Sequence, residues 1–350
     1  MTETMRQVHV TADGTLQVEA VGIPEPAQGE ALLELESAGI CGSDLHAVRG
    51  HHPFVELPFN PGHEVVGRVL QSRSELVSTG ERVVIEPTLP CGECKMCRTD
   101  RGNICPYRGF FGSNQPQGGM ADFMTIRADR LHLIPDDLPP EAAAMIEPLA
   151  TPVHALRLVG GVEGRTVAVL GAGSIGLTTL IAAREAGART VAVTDVNERK
   201  LAQARRLGAD HTVSATESDY PRTVAKLVGE SVDVVIDCVS IESTVSAAIT
   251  MVDRGGTVVH LGVPPGPMAV DLPYIQENQI RLQGSTVYTG DDFRAAIAIA
   301  ARRSPDLAGL VSATVDLDHV AEGFELARRP DTIKVLLVRQ ADHGFTAPIR

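Results

Sequence analysis

Thr166-Val167-Ala168-Val169-Leu170 runs straight into Gly171-Ala172-Gly173-Ser174-Ile175-Gly176. A short β-branched apolar run, three spaced glycines and a following helical pattern read as strand, phosphate loop and helix. In that pattern Gly171 permits the tight turn, Gly173 admits a pyrophosphate close to the backbone, and Gly176 lets helix and strand pack closely. The helix start, Ser174 and Ile175, offers free N–H groups to phosphate oxygens. Asp195 follows Gly176 by 19 residues and ends the next apolar run, where a carboxylate takes both hydroxyls of an adenosine ribose. The alternative is a tight turn in a sheet that binds no nucleotide. The strand before the loop, the helix after it and the placed Asp195 speak against that.

Working outward, the apolar runs Thr190–Thr194, Val232–Ile236 and Thr257–Leu261 are short and β-branched, and helical patterns at Leu177–Ala186 and Glu198–Leu207 separate the early ones. Continuous apolar strands alternating with helices predict a parallel sheet covered on both faces. Residues 1 to about 150 have another texture. Alternating runs such as Gln7–Val10, Ala31–Leu35 and Val65–Leu70 are broken by Pro and Gly, which predicts a β-rich domain. After residue 289 come a helix, Asp292–Arg302, an amphipathic stretch, His319–Arg328, and a last strand, Lys334–Arg339. This tail is expected to return to the first domain. The expected division is 1–150 with 290–350, carrying a cysteine lobe at 90–106, and 151–289 for the nucleotide.

Four cysteines are spaced Cys91-x2-Cys94-x2-Cys97-x7-Cys105. Four thiolates so close in sequence can surround one tetrahedral ion and leave no open position, which makes a structural zinc site. A disulfide pair or unrelated core thiols are the alternative; clustered cysteines without secretory context favour metal. A second ligand set is spread over three segments: Cys41 in Gly39–His46, His63 in Pro61-Gly62-His63-Glu64, and Glu147 in Ile146-Glu147-Pro148. Sulfur, nitrogen and oxygen donors with a fourth position open are the form of a catalytic zinc. Glu64 could support the site from behind or visit the metal, and Asp44 could fix the tautomer of His63. Each residue alone also reads as core thiol or turn.

The chain has 350 residues, a net charge of -13, 43% hydrophobic and 21% charged residues. That suits a globular protein of two domains. The acidic balance argues against nucleic acid, whose phosphates need a basic face, and against anionic membrane. Met1–Arg6 lacks a leader's apolar run and no stretch approaches the roughly 20 residues of a span, so the expectation is cytoplasmic. His51 and His52 read as loop residues, and Cys238 as a buried thiol at a strand end.

Taken together, these motifs resemble the zinc-dependent medium-chain dehydrogenase/reductase family, the branch of sorbitol, 2,3-butanediol and threonine dehydrogenases. The resemblance covers essentially the whole chain. It rests on Gly39–His46, Gly62-His63-Glu64-Val65-Val66-Gly67, the four-cysteine lobe and Gly171–Gly176. It implies an α/β protein with a GroES-like β-rich catalytic domain, a doubly wound Rossmann domain and an active site between them. It implies Cys41, His63 and Glu147 as ligands of a catalytic zinc, with Ser43 passing the substrate proton to His46. Lys200 would lie on the adenine side and Thr151 near the nicotinamide. Glu147-Pro148-Leu149 looks like the polyol and butanediol branch, and Gly284–Thr289 with Asp292-Phe293 like the butanediol one. Val287 stands where sorbitol dehydrogenases carry a polyol-binding Arg. The expected function is hydride transfer between NAD(H) and a secondary alcohol, vicinal diol or small polyol, with two zinc ions per chain, in a homotetramer or homodimer. An amino-alcohol or aldehyde dehydrogenase of the same fold, and a zinc- and nucleotide-binding relative without turnover, are the alternatives.

Overall fold

The computed structural model describes residues 4–229 and 232–339; the opening Met1-Thr2-Glu3 and the end of the returning tail, 340–350, lie outside the described residues. The chain divides into two compact units. One comprises Met1–Leu89, Gly109–Ala144 and Val311–Arg350; the other comprises Pro90–Arg108 and Met145–Leu310. The cysteine lobe therefore packs with the second unit, as does the helix Gly290–Arg302.

The second unit is built on six parallel strands: β1 (Thr166–Leu170), β2 (Thr190–Asp195), β3 (His211–Ser214), β4 (Val232–Asp237), β5 (Val252–His260) and β6 (Arg281–Gly284). Their spatial order is β3-β2-β1-β4-β5-β6. The order reverses between β1 and β4, and such a reversal opens a crevice at the carboxyl ends of the strands. The glycine loop leaves β1 at that point. β1 is buried along its length, and Ala168, Leu170, Val235 and Val258 share one apolar core. Gly176 has no alternative residue: a Cβ there would lie 1.7 Å from the carbonyl oxygen of Gly171.

Several elements differ from the reading of the chain. β5 starts at Val252, earlier than its apolar core, because Arg254-Gly255-Gly256 looks like a turn yet stays in the strand with a register shift opposite Val232 and Val234. β6 has a weak apolar signature, with Leu282 as its one large apolar residue. The helix Ile146–Leu158 contains two prolines. Pro148 falls in its first turn, where the N–H has no helical partner, and Pro152 removes one interior bond.

In the first unit seven strands form one sheet. Its order is Val311–Asp316, Lys334–Val338, Glu30–Ile40, Glu64–Ser72, Arg82–Ile85 and Leu131–Leu133, with Phe123–Arg127 also paired to Glu30–Ile40. The last strand of the chain thus lies beside the long strand that leads into Cys41, with Val335 opposite Ile40 and Leu336 opposite Gly39. On the other side Gly39 pairs with Glu64. Leu33, Val65, Val69, Phe324 and Leu337 belong to the core beneath.

Candidate metal and nucleotide sites

The first site lies at the end of two antiparallel strands. Gly39 opposite Glu64 brings the residue after one strand, Cys41, near the residue before the other, His63. Ligand atoms of Cys41, His63 and Glu64 lie within 4.8 Å of one another, with His63 and Glu64 buried. Cys41 also begins the short helix Gly42–Ala47, and its backbone N–H donates to Asp44 Oδ2 at 3.0 Å. Asp44 is buried, and burial pushes its carboxyl above the usual carboxylate range against the pull of His63. Its Oδ1 stands 3.6 Å from His63 Nδ1, within electrostatic reach and beyond hydrogen-bond length. Phe110 packs tilted on the His63 ring at 5.6 Å between centroids. Ser43 and His46 are three apart on the same helix, so they share a face; His46 is exposed.

Glu64 is held by a residue that the sequence reading missed. Lys334 Nζ donates to both its carboxylate oxygens, at 2.7 and 2.6 Å, and to the Ile40 carbonyl at 3.3 Å. Both side chains are buried, 2% and 1% exposed, so the pair is shielded from water. Lys334 opens an otherwise apolar strand, Lys334–Val338, and that misplaced charge was the one available signal. Gly39 belongs to the same arrangement: a Cβ there would lie 1.9 Å from Glu64 Oε2.

Glu147 lies in the first turn of the helix Ile146–Leu158, in the other unit, and is buried. Tyr288, also buried, donates its Oη to Glu147 Oε1 at 2.6 Å. Thr151 follows one turn later on the same face.

The four lobe cysteines are brought together, and all are free of disulfides. Their sulfurs stand 3.5 Å (Cys94–Cys97 and Cys91–Cys105), 3.8 Å (Cys94–Cys105) and 3.9 Å (Cys91–Cys97) apart. Four ligands at Zn–S lengths of about 2.3 Å on a tetrahedron stand about 3.8 Å apart, so the donor set fits that ion. The thiols themselves pull in opposite directions. Backbone N–H groups of Glu93 and Cys94 draw Cys91 down to about 6, while desolvation and Cys94 push Cys97 up to about 11. Four thiolates so close together need a cation among them.

The glycine loop fits a dinucleotide. A Cβ on Gly173 would meet nothing within 4 Å, so the backbone is open to a ligand there. Gly173 begins the helix Ser174–Glu185 without a side-chain cap, and the buried Ser174 Oγ has no partner among the described residues. Asp195 is fixed by the N–H groups of Ala172 (2.6 Å) and Asn197 (2.8 Å). Asn197 caps the next helix, Glu198–Arg206, through the N–H groups of Arg199 and Lys200. Cys238, just past β4, is partly exposed; its thiol, pushed up to about 12 by burial of the sulfur, contacts Thr179 Oγ1 at 3.6 Å. Val239, one residue on, closes over the glycine loop, because a Cβ on Gly171 would meet it at 2.7 Å.

Residues 27–136 match the alcohol dehydrogenase GroES-like domain, and residues 174–302 match the zinc-binding dehydrogenase domain. Sorbitol dehydrogenase of Ovis aries is 32% identical over 336 residues, covering 94% of each chain. This chain belongs to the zinc-dependent medium-chain dehydrogenase family. D-arabitol-phosphate dehydrogenase of Enterococcus avium is 32% identical over 347 residues, 96% of this chain and 98% of its own. A solved Sinorhizobium meliloti 1021 structure with NADP bound, described as a putative zinc-binding dehydrogenase, superposes with a TM-score of 0.90 at 32% identity, covering 96% of this chain and all of that one. The family member described here is an oxidoreductase of zinc and a nicotinamide nucleotide, acting on a small molecule. No helix among the described residues is long and apolar enough to cross a membrane.

The buried pair yields a test. Lys334→Met leaves the Glu64 carboxylate buried without its ammonium, and such a loss costs about 3–5 kcal/mol. Denaturant unfolding should show a drop of that order, and Glu64→Gln added to Lys334→Met should recover much of it. If the two losses simply add, the pair is not coupled.

Proposed function

We propose that the chain oxidises a vicinal diol or small polyol, or a secondary alcohol, with NAD, and that it carries two zinc ions. The observation that carries this reading is the convergence of Cys41 and His63 at one strand end beside the buried Glu64. Cys41 and His63 would hold the catalytic zinc, and Glu147 enters as the oxygen donor through its sequence motif. Glu64 stays a supporting carboxylate, since both its oxygens already accept from Lys334. Bound there, zinc supplies a Lewis acid that lowers the pKa of an alcohol. Cys91, Cys94, Cys97 and Cys105 would hold the second ion. Polyol substrates are supported by relatives acting on sorbitol and arabitol phosphate.

Ser43 would take the substrate proton and His46, exposed on the same helix face, would hand it to water. The glycine loop with Ser174 and Ile175 would bind the pyrophosphate, Asp195 the adenosine ribose, Lys200 the adenine side and Thr151 the nicotinamide side. A homodimer or homotetramer fits the open edge strand β6, whose Leu282 is exposed; a monomer mass in sedimentation would contradict it. A cytoplasmic setting would keep the lobe thiols reduced for metal.

Two experiments test the reading. With a panel of diols and polyols, Ser43→Ala should lose about 10²–10³-fold in turnover while zinc content and fold remain. Full turnover in that variant, with hydride transfer rate-limiting, would remove the relay. Asp195 would repel the 2′-phosphate of NADP. Two unit charges about 4 Å apart interact by about 4 kcal/mol at an effective dielectric of 20. Half of that exceeds tenfold in affinity. NAD should therefore be preferred, and Asp195→Gly should narrow the ratio of kcat/KM values. An unchanged ratio would show that Asp195 does not set the choice.

A further inference from the structure

Asn103 lies inside the cysteine lobe, on the turn Gly102–Ile104 that ends at Cys105, and is 5% exposed. Its Nδ2 donates twice. One bond goes to His154 Nε2 at 3.2 Å, the other to the Thr286 carbonyl at 3.2 Å. Both acceptors lead to Glu147. His154 sits on the helix of Glu147, seven residues further along and therefore on the same face. Thr286 is two residues before Tyr288, which holds Glu147 Oε1.

The segment between them is fastened at both ends. Asn103 holds Thr286. At the other end Asp292 Oδ2 accepts from the N–H and Oγ1 of Thr289, both at 2.8 Å, and from His154 Nδ1 at 2.7 Å. Arg157, on the same helix as His154, adds a bond to that oxygen at 2.8 Å. Between the two anchors Val287 has φ 53. A β-branched residue in the left-handed region is a genuine outlier, and it persists only where its surroundings over-determine it. The anchors are those surroundings, and the consequence of the bend is that Tyr288 points at Glu147. His154 must accept at Nε2 and donate at Nδ1, so one ring joins lobe, helix and loop.

We propose that the four-cysteine lobe is a positioning device for Glu147: Asn103, set by the cysteines around it, fixes through His154 and Thr286 the place of Tyr288 and hence of Glu147. Asn103, His154 and Tyr288 are positioning residues. The consequence for turnover rests on the proposed role of Glu147 at the catalytic zinc; the link from lobe to Tyr288 does not.

The test separates the two. The chain has four tyrosines, so the intact protein grown with fluorotyrosine gives one fluorine resonance for each, and Tyr288→Phe assigns that of Tyr288. Asn103→Ala should shift the Tyr288 line, as should Cys94→Ser, which empties the lobe. Arg98→Ala, an exposed lobe change, should leave it in place. Turnover should fall about 10–100-fold in Asn103→Ala, the usual size for the loss of a partner that orients a metal ligand. Should Asn103→Ala not fold, His154→Phe breaks the same link with a ring of similar shape. A Tyr288 line unmoved in the folded variant overturns the proposal. A shifted line with full turnover upholds the link and overturns the assignment of Glu147.

Discussion

A single buried ion pair governs the first unit. Lys334 and Glu64 are both almost free of solvent, and each neutralises the other beside Cys41 and His63. Burying two charges is expensive unless their geometry is good, and here both carboxylate oxygens accept from the ammonium. That requirement fixes much around it. The last strand must return to lie against Glu30–Ile40, because only there does Lys334 reach the Ile40 carbonyl and Glu64 together. Gly39 must lack a side chain, because Glu64 occupies its place. Glu64, held in this way, stands with Cys41 and His63 at the end of the two strands.

The second unit meets a different constraint. Its glycine loop must present bare N–H groups at the sheet's point of reversal, which is why Gly173 is open while Gly171 and Gly176 are tightly packed. Elsewhere in the unit the Asn103–His154–Asp292 chain pairs buried polar groups and joins lobe, helix and loop. Asp292 illustrates the balance. Burial alone would raise its carboxyl, yet the bonds from His154 and Thr289 hold it below the usual carboxylate range.

Local spacing made part of this readable in the chain. The loop Gly171–Gly176, the lobe cysteines and the pair Cys41 and His63 carry their chemistry within a few residues of one another or in short motifs. What escaped depends on distance or on broken rules. Lys334 meets Glu64 across 270 residues, His154 meets Asp292 across 138, and Tyr288 meets Glu147 across 141. No period or spacing announces such partners. The helix that carries Glu147 hides behind two prolines, and the start of β5 behind two glycines. At Val287 the backbone itself departs from its residue's preference, which only a fold can impose.

The central claim is that two metal centres of different character share this chain, one closed and all-sulfur, the other open with a single sulfur from Cys41. Zinc-edge X-ray absorption of the purified protein reads that directly. The account predicts two ions per chain with about five sulfurs among eight ligand atoms, nitrogen and oxygen making up the rest. One ion per chain, or a purely sulfur shell for both ions, would contradict it.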